Sequence, residues 1–178
     1  MFELVAPTAR LYDEWVAAHR EWGPGTHEDG FGLTPADDVA SEAGFVEWVD
    51  RLLARERAGA EGRCCSRWIV DGDRVLGGIA LRYGDGVVVS QVGHIGFGVT
   101  PSARGRGVAS WALGRMLAVA REAGMGPVLL VCAENNLASA RTIERNGGVL
   151  EAVRDTPLGP ARRYRIALAQ NGNRPRPD

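Results

Sequence analysis

A cationic, glycine-rich turn in the middle of the chain constrains the fold more than any other stretch. The run Val92–Val99 has the composition of a strand and stops at Thr100-Pro101. The turn Arg104–Ala109 follows, and an amphipathic helical pattern then runs to about Ala123. This order binds phosphate, because glycines admit a close approach and the first turn of a helix carries unpaired amides. The stretch therefore predicts an anion site.

Length and composition indicate one globular domain. The 178 residues are enough for a single core, and 45% hydrophobic with 24% charged residues is ordinary for a soluble domain. We expect the domain to span residues 1–169 and the Pro/Arg/Asn-rich residues 170–178 to form a disordered tail. The net charge of -1 argues against a nucleic-acid partner, since duplex-binding domains carry a marked basic excess.

Cysteine use and hydropathy predict a cytoplasmic protein with no membrane partner. The N-terminus lacks the features of a signal peptide, and no apolar run approaches about 18 residues, the length of a membrane span. The three cysteines, Cys64, Cys65 and Cys132, fall in strand-like runs, and we expect them to be reduced. No CxxC or Cys/His ligand spacing occurs, so no metal site is predicted. A monomer and a homodimer are equally compatible with the sequence.

The hydrophobic pattern predicts a mixed α/β sheet. It begins with a strand and two helices that are separated by a Gly/Pro/acid-rich loop of about 20 residues. The predicted strands are Phe2–Val5, Cys64–Val70, Val75–Leu81, a single bent strand Val87–Val99, Pro127–Ala133, Val149–Arg154 and Arg163–Leu168. The predicted helices are Pro7–Arg20, Ala43–Arg57, one from the cationic turn to Ala123, and Asn136–Asn146. This order is not the strict alternation of a doubly wound dinucleotide fold.

Three phosphate-binding patterns can be compared at the turn. A nucleotide P-loop needs Gly-Lys-Ser/Thr, where this chain has Gly107-Val108-Ala109. A dinucleotide fingerprint should follow the first strand, but Gly96-Phe97-Gly98 comes late and is soon followed by Pro101. The third pattern, Arg/Gln-x-x-Gly-x-Gly/Ala between a strand and a helix, fits Arg104–Ala109 at every position.

With these residues in place, the stretch Gly93–Glu151 resembles the GNAT superfamily of acetyl-CoA-dependent N-acetyltransferases, and in particular a bacterial branch of predicted acetyltransferases. The branch reads Gly-His-Ile-Gly-aromatic-Gly-Val before the pyrophosphate loop, then Asn-x-x-Ser, here Asn136–Ser139, and Asn-Gly-Gly, here Asn146–Gly148. The first 60 residues match only in element order. The resemblance implies a mostly antiparallel central sheet of about seven strands flanked by about four helices.

The resemblance also implies acetyl-CoA as the donor, with no metal. Amides of the turn would hold the pyrophosphate, backbone groups of the preceding strand would pair with the pantetheine, and the Asn/Ser motif would line the CoA arm. The implied CoA-binding residues are Phe97, Val99, Arg104, Gly105, Arg106, Gly107, Val108, Ala109, Asn136 and Ser139. Two plainer interpretations stay open: Asn136 as a simple N-cap, and the arginines as a solvated turn or an RGG-like nucleic-acid tract.

Acetyl transfer to an amine needs an oxyanion donor, a base and an acid for the departing thiolate. The backbone amide near Val99 is the candidate oxyanion donor. Many family members supply the acid from a tyrosine in the helix after the Asn motif, but the matching position here is Ile143. Ser139 acting through water is one substitute, and departure of the thiolate without a dedicated acid is the other.

Two residues are candidates for the base. His94 lies on the strand beside the expected thioester, and its imidazole titrates in a useful range. Glu134 ends the next strand and could act through water. The alternatives are a structural histidine bonded within the sheet and a solvated strand end. His27 and the acidic residues of the N-terminal loop either favour a cationic acceptor or are simply exposed.

The sequence therefore predicts an enzyme that moves an acetyl group from acetyl-CoA to a primary amine of a small-molecule or peptide acceptor. The alternative is a CoA-binding sensor or interaction module without turnover, which the isoleucine at the usual tyrosine position favours. The acceptor itself is not specified by any motif.

Overall fold

The computed structural model describes residues 1–23, 32–59, 62–156 and 159–168. The strands are β1 Phe2–Val5, β2 Cys64–Asp71, β3 Arg74–Arg82, β4 Ile95–Val99, β5 Val128–Ala133, β6 Val149–Thr156 and β7 Gly159–Ile166. The α-helices are α1 Tyr12–Trp22, α2 Glu42–Arg57, α3 Val87–Val92, α4 Val108–Glu122 and α5 Leu137–Arg145. Short 3-10 helices, Ala9–Leu11 and Pro101–Ala103, precede α1 and α4.

The strands form two antiparallel sheets that meet in the middle of the molecule. One sheet has the order β1-β2-β3-β4, and the other has the order β5-β7-β6. Within the described residues, the backbone bridge between the sheets lies at Gly93 and Leu130, where the amide of His94 donates to the carbonyl of Leu129. Beyond this point β4 and β5 do not pair, and the separation leaves a gap between the two strands.

Two cores pack on opposite faces of the sheet β1-β2-β3-β4. The aliphatic core joins α4 and α5 to both sheets, and it contains Ile79, Leu113, Met116 and Leu130. The aromatic core fixes α1 and α2 against β2 and β3. Its fully buried rings are Trp15, Phe45, Trp48 and Trp68. Because β4 runs beside β3, and α4 packs on both of them, the strand, turn and helix start are fixed relative to the rest of the fold.

The predicted mixed α/β class with seven strands is confirmed, but the single bent strand Val87–Val99 is wrong. Residues Val87–Val92 are helix α3, and β4 begins only at Ile95. Local β-propensity of the three valines is overridden by tertiary packing, since Val89 is buried and Gly93 ends the helix at a φ of 86°.

Smaller corrections concern element ends. The first helix starts as a 3-10 turn rather than at Pro7, and the last hairpin is tighter than expected, since β7 begins at Gly159 instead of Arg163. The proposed tail, residues 170–178, lies outside the described residues. In the part of the chain that the structure describes, none of the helices is both long and apolar enough to cross a bilayer.

Candidate active site

The cationic turn is shaped by two glycines with left-handed backbone. Gly105 has a φ of 74°, and Gly107 has a φ of 77° at the N-cap of α4, a region that side chains other than glycine rarely adopt. A Cβ built at either position meets nothing within 4 Å, so the turn faces open space. The amide of Trp111 bonds to the carbonyl of Gly107 as the first helical bond, and the amides that precede it have no intrahelical partner.

A cavity of about 690 Å³, called here the larger cavity, opens in front of this turn. Its walls come from the end of α1, from β4, from the turn with the first residues of α4, and from α5. The lining residues are Trp22, Phe97, Gly98, Val99, Ala103, Arg104, Gly105, Gly107, Val108, Ala109, Ser110, Asn136, Ala138, Ser139, Arg141, Thr142 and Arg145. Three arginines against exposed helix amides make this cavity suited to a polyanionic ligand.

The larger cavity brings together nine of the ten residues predicted to bind CoA. Arg106 is the exception, because its guanidinium points away from the cavity. It lies 3.9 Å from the carboxylate of Asp71 and 5.9 Å from the centre of the Phe2 ring. Arg104 instead lines the cavity, and its Nε donates to the carbonyl of Val99 at 3.3 Å, which ties the turn to the end of β4.

Asn136 is both an N-cap and a cavity residue. Its Oδ1 accepts a hydrogen bond from the amide of Ser139 at 3.1 Å, the usual capping geometry, while both residues line the larger cavity. The other end of α5 is fixed by Asn146, whose Nδ2 donates to the carbonyl and hydroxyl of Ser110 in α4. The cap and this link together set the position of Ser139.

A second cavity, the smaller cavity, has a volume of about 190 Å³ and lies in the gap between β4 and β5. Its lining residues are Gln91, Val92, Ile95, Gly96, Phe97, Leu130, Val131, Cys132, Ala133, Ser139, Ile143, Thr156, Gly159, Pro160 and Ala161. Phe97 and Ser139 line both cavities. A ligand in one cavity can therefore meet a ligand in the other at these two residues.

The first base candidate, His94, lies at the junction of the two sheets and outside the linings of both cavities. Its Nδ1 accepts a hydrogen bond from the amide of Leu129 at 2.9 Å, and its carbonyl accepts from the amide of Arg82. His94 is 6% exposed, and burial lowers the pKa of its imidazole below the ordinary value, against an opposing effect of Asp85. This geometry favours a neutral histidine that joins the sheets.

The second base candidate, Glu134, is exposed and bonded through its backbone. Its amide donates to the carbonyl of Pro160, and its own carbonyl accepts from Nε of Arg162. The residue is absent from the linings of both cavities. Ile143 is buried and forms part of the wall of the smaller cavity, where its hydrocarbon side chain has no proton to donate.

Carboxylates of the N-terminal loop are engaged in local structure. Glu21 accepts from the amide and the hydroxyl of Ser102, beside the cationic turn. Asp37 forms an ion pair with Arg51, and Asp38 accepts from the hydroxyl of Ser41 at the start of α2. His27, Glu28 and Asp29 lie outside the described residues. Among the described residues, no group of three His, Cys, Asp or Glu side chains is close enough to hold a metal.

Comparison with known proteins decides the family. A sequence model of the "Acetyltransferase (GNAT) family" matches residues 12–148, more than half of the chain. The chain belongs to this acetyltransferase family. It is accordingly an acyltransferase enzyme, and the resemblance drawn from the cationic turn and the Asn/Ser motif is confirmed. No curated protein matches the sequence.

Solved structures of the family share the fold at low sequence identity. A protein from Bordetella pertussis assigned to the GnaT acetyltransferases is 22% identical, with a TM-score of 0.67, over 92% of this chain and 94% of that one. The microcin C7 self-immunity acetyltransferase MccE, in complex with acetyl-CoA and AMP, is 15% identical, with a TM-score of 0.70, over 93% and 92%. The ribosomal L7/L12 α-N-protein acetyltransferase RimL, in complex with coenzyme A, is 15% identical, with a TM-score of 0.71, over 94% of both chains.

Several residues of the two cavities were not anticipated from the sequence. Trp22 lines the larger cavity from the far end of α1. Arg141 and Arg145 could have been predicted, because their helical spacing puts them on the same face as the Asn/Ser motif. The smaller cavity draws Gln91 and Val92 from α3, which was predicted as strand, and Thr156 and Gly159–Ala161 from the last hairpin. No local pattern marks these positions.

Proposed function

We propose that this protein transfers an acetyl group from acetyl-CoA to a primary amine of a small molecule or peptide. The observation that carries the proposal is the pair of cavities that meet at Phe97 and Ser139. The larger one has the cationic turn and arginines suited to the phosphates of CoA, and the smaller one reaches the same point through the gap between β4 and β5. MccE and RimL, which share the fold, were crystallised with acetyl-CoA or CoA.

On the donor side, the residues of the turn would hold the pyrophosphate. Gly105 and Gly107–Ala109 line the larger cavity, and Arg104 adds positive charge where the phosphates would lie. The pantetheine arm would run along Phe97–Val99, whose second edge is not occupied by β5. This course would bring the thioester to the junction of the cavities, within reach of the backbone amide near Val99 as an oxyanion donor.

On the chemical side, Ser139 is the residue best placed to act. In the reaction the amine nitrogen forms a bond to the acetyl carbon, the carbon–sulfur bond breaks, and the amine loses a proton while the thiolate gains one. Ser139 is the hydroxyl residue shared by both cavities, so it could relay a proton to the sulfur directly or through water. His94 and Glu134 remain candidate bases only through intervening water.

The test is an incubation of the protein with acetyl-CoA and a broad panel of primary amines. We expect release of free CoA thiol and an acetylated amine of the corresponding mass. Calorimetric titration with CoA, run in parallel, separates the outcomes. CoA binding with no turnover on any amine would support the sensor alternative, and no CoA binding at all would refute the proposed donor site.

A further inference from the structure

The charge around the smaller cavity carries information about the acceptor. None of the residues that line this cavity is an aspartate or a glutamate. The carboxylates of Glu21, Asp37 and Asp38 are engaged elsewhere in the described structure. A polycationic acceptor would therefore bring its second positive charge to walls that offer apolar side chains and neutral polar groups, where an unpaired charge is costly.

The sheet β5-β7-β6 presents its arginines on one particular face. The register pairs Val131 with Arg163 and Ala133 with Ala161 across β5 and β7. It also pairs Ala161 with Arg154 across β7 and β6. Directly paired residues point to the same side of a sheet, so Arg154 and Arg163 share the face of Val131, Ala133 and Ala161. Those three residues line the smaller cavity.

Contacts agree with this placement. Nη1 of Arg163 donates to the carbonyl of Ser90 at 2.7 Å, next to Gln91 and Val92 of the cavity wall. A guanidinium has five donors, so this bond leaves most of its capacity for other acceptors. Arg154 is exposed and sits directly opposite Ala161. Both cations thus flank the cavity, one beside α3 and one beside the last hairpin.

Negative charges near this face do not cancel the two arginines. Asp155 pairs with Pro160 and therefore points to the opposite face of the sheet. Nε of Arg165, which lies in β7 like Arg163, donates to the carboxylate of Glu151 at 2.6 Å, so this carboxylate is already paired. Among the described residues, neither Arg154 nor Arg163 forms an ion pair with a carboxylate, so both guanidinium groups are open to an anionic ligand.

Building on the proposed function, we infer that the acceptor is an anionic amine, a primary amine whose molecule also carries a carboxylate or phosphate. The amine would enter the smaller cavity toward Ser139, and the anionic group would stay at the rim between Arg154 and Arg163. Planar guanidinium groups bind carboxylate and phosphate oxygens through charge-assisted hydrogen bonds. Such an acceptor has the opposite charge to the cationic amine that the acidic N-terminal loop would favour.

Matched pairs of acceptors test the inference. The wild-type enzyme is assayed with amino acids and their carboxamides, with amino-sugar phosphates and their dephosphorylated forms, and with a polyamine. We expect kcat/KM for the anionic member of at least one pair to exceed that of its neutral partner by about tenfold or more, the size of a charge-assisted hydrogen bond. The two kinds of pair distinguish carboxylate from phosphate.

Variants separate recognition from folding. Arg154→Gln with Arg163→Gln should reduce the preference within the reactive pair to about twofold or less, because the neutral member never used the arginines. Arg154→Lys combined with Arg163→Gln should show more of the preference for the anionic member than the double glutamine variant. Arg115→Ala changes an exposed residue of α4 and should leave the preference at its wild-type value. A general loss of structure would lower both members equally and keep their ratio.

Two results would overturn the inference, and they differ in scope. If amines are acetylated but the neutral or polycationic compounds react as well as the anionic ones, the anionic acceptor is wrong while the acetyltransferase proposal stands. If no amine is acetylated, the proposed function itself fails and the inference fails with it.

Discussion

The larger and smaller cavities meet at the same two residues but are built in different ways. The larger cavity takes more than half of its lining from one stretch, Phe97–Ser110, in which strand, turn and helix start follow each other along the chain. The smaller cavity is assembled from α3, β4, β5, α5 and the β6–β7 hairpin, which are brought together only by the meeting of two sheets. A binding site for a ligand of fixed chemistry, such as a pyrophosphate, can be predicted from residues that are contiguous in the sequence. A variable acceptor depends on tertiary structure.

The largest effect on CoA binding is expected when a side chain replaces a glycine of the cationic turn. Gly107→Leu should weaken CoA binding by about a hundredfold, because the side chain would occupy the space of the pyrophosphate and displace several charge-assisted hydrogen bonds. Calorimetry with CoA measures this directly.

Gly124→Leu is the matched control for that variant. Gly124 has a φ of 72°, also meets nothing within 4 Å, and lies beyond the far end of α4. Both variants should lose about 1–2 kcal/mol of stability from the left-handed backbone. Unchanged CoA affinity in Gly107→Leu would place the donor elsewhere.

The junction of the cavities should govern turnover more than binding. Ser139→Ala should lower kcat by about a hundredfold if its hydroxyl relays a proton, while CoA affinity changes little. Steady-state kinetics with a reactive amine, together with CoA titration, separates the two quantities.

Ser110→Ala serves as the control at the junction. Ser110 lines the larger cavity but not the smaller one, and its hydroxyl accepts a hydrogen bond from Nδ2 of Asn146. We expect it to affect CoA affinity or stability rather than kcat. Equal kcat values in the wild type and Ser139→Ala would remove the serine from the chemistry and support departure of the thiolate without a protein acid.

The larger cavity should also respond to the charge of α5. Arg141→Ala combined with Arg145→Ala should weaken CoA binding by about tenfold, and the difference from the wild type should shrink at high salt. Dephospho-CoA sharpens the assignment. If the two arginines bind the 3′-phosphate, the variant and the wild type will bind dephospho-CoA equally, whereas a persistent difference would assign them to the pyrophosphate.

The smallest effect on the reaction is expected at His94. Asparagine can place an acceptor where Nδ1 accepts from Leu129, so His94→Asn should fold and retain most of kcat if the histidine is structural. A large loss of kcat in a folded His94→Asn variant would instead restore His94 as the base.

The pH dependence of stability checks the same assignment. The folded-state pKa of His94 lies below its ordinary value of 6.5 because the imidazole is buried. The unfolded chain therefore binds the proton more strongly, so the stabilisation is fully present above pH of about 6.5 and is lost as the pH falls through the folded pKa. Denaturant midpoints between pH 7.5 and pH 5 should fall more for the wild type than for His94→Asn. Parallel curves would contradict a buried neutral imidazole.

The contrast also explains what could be predicted from the sequence. The turn Arg104–Ala109 and the cap at Asn136 follow local rules of glycine conformation and helix capping, and both lie where the pattern put them. Helix α3 was missed because three consecutive valines favour a strand, whereas burial of Val89 and the end at Gly93 decide for a helix. The smaller cavity depends on that helix and on the bridge at Gly93, where a Cβ would lie 2.8 Å from the carbonyl oxygen of Leu129. Such long-range contacts leave no periodic signal.

A crystal structure of the protein with acetyl-CoA is the most direct test of the account. We predict that the pyrophosphate lies within hydrogen-bond distance of the amides of Gly105–Ala109, and that the acetyl group lies between Phe97 and Ser139 and faces the smaller cavity. Acetyl-CoA bound outside the larger cavity, or with its thioester turned away from that junction, would contradict the account.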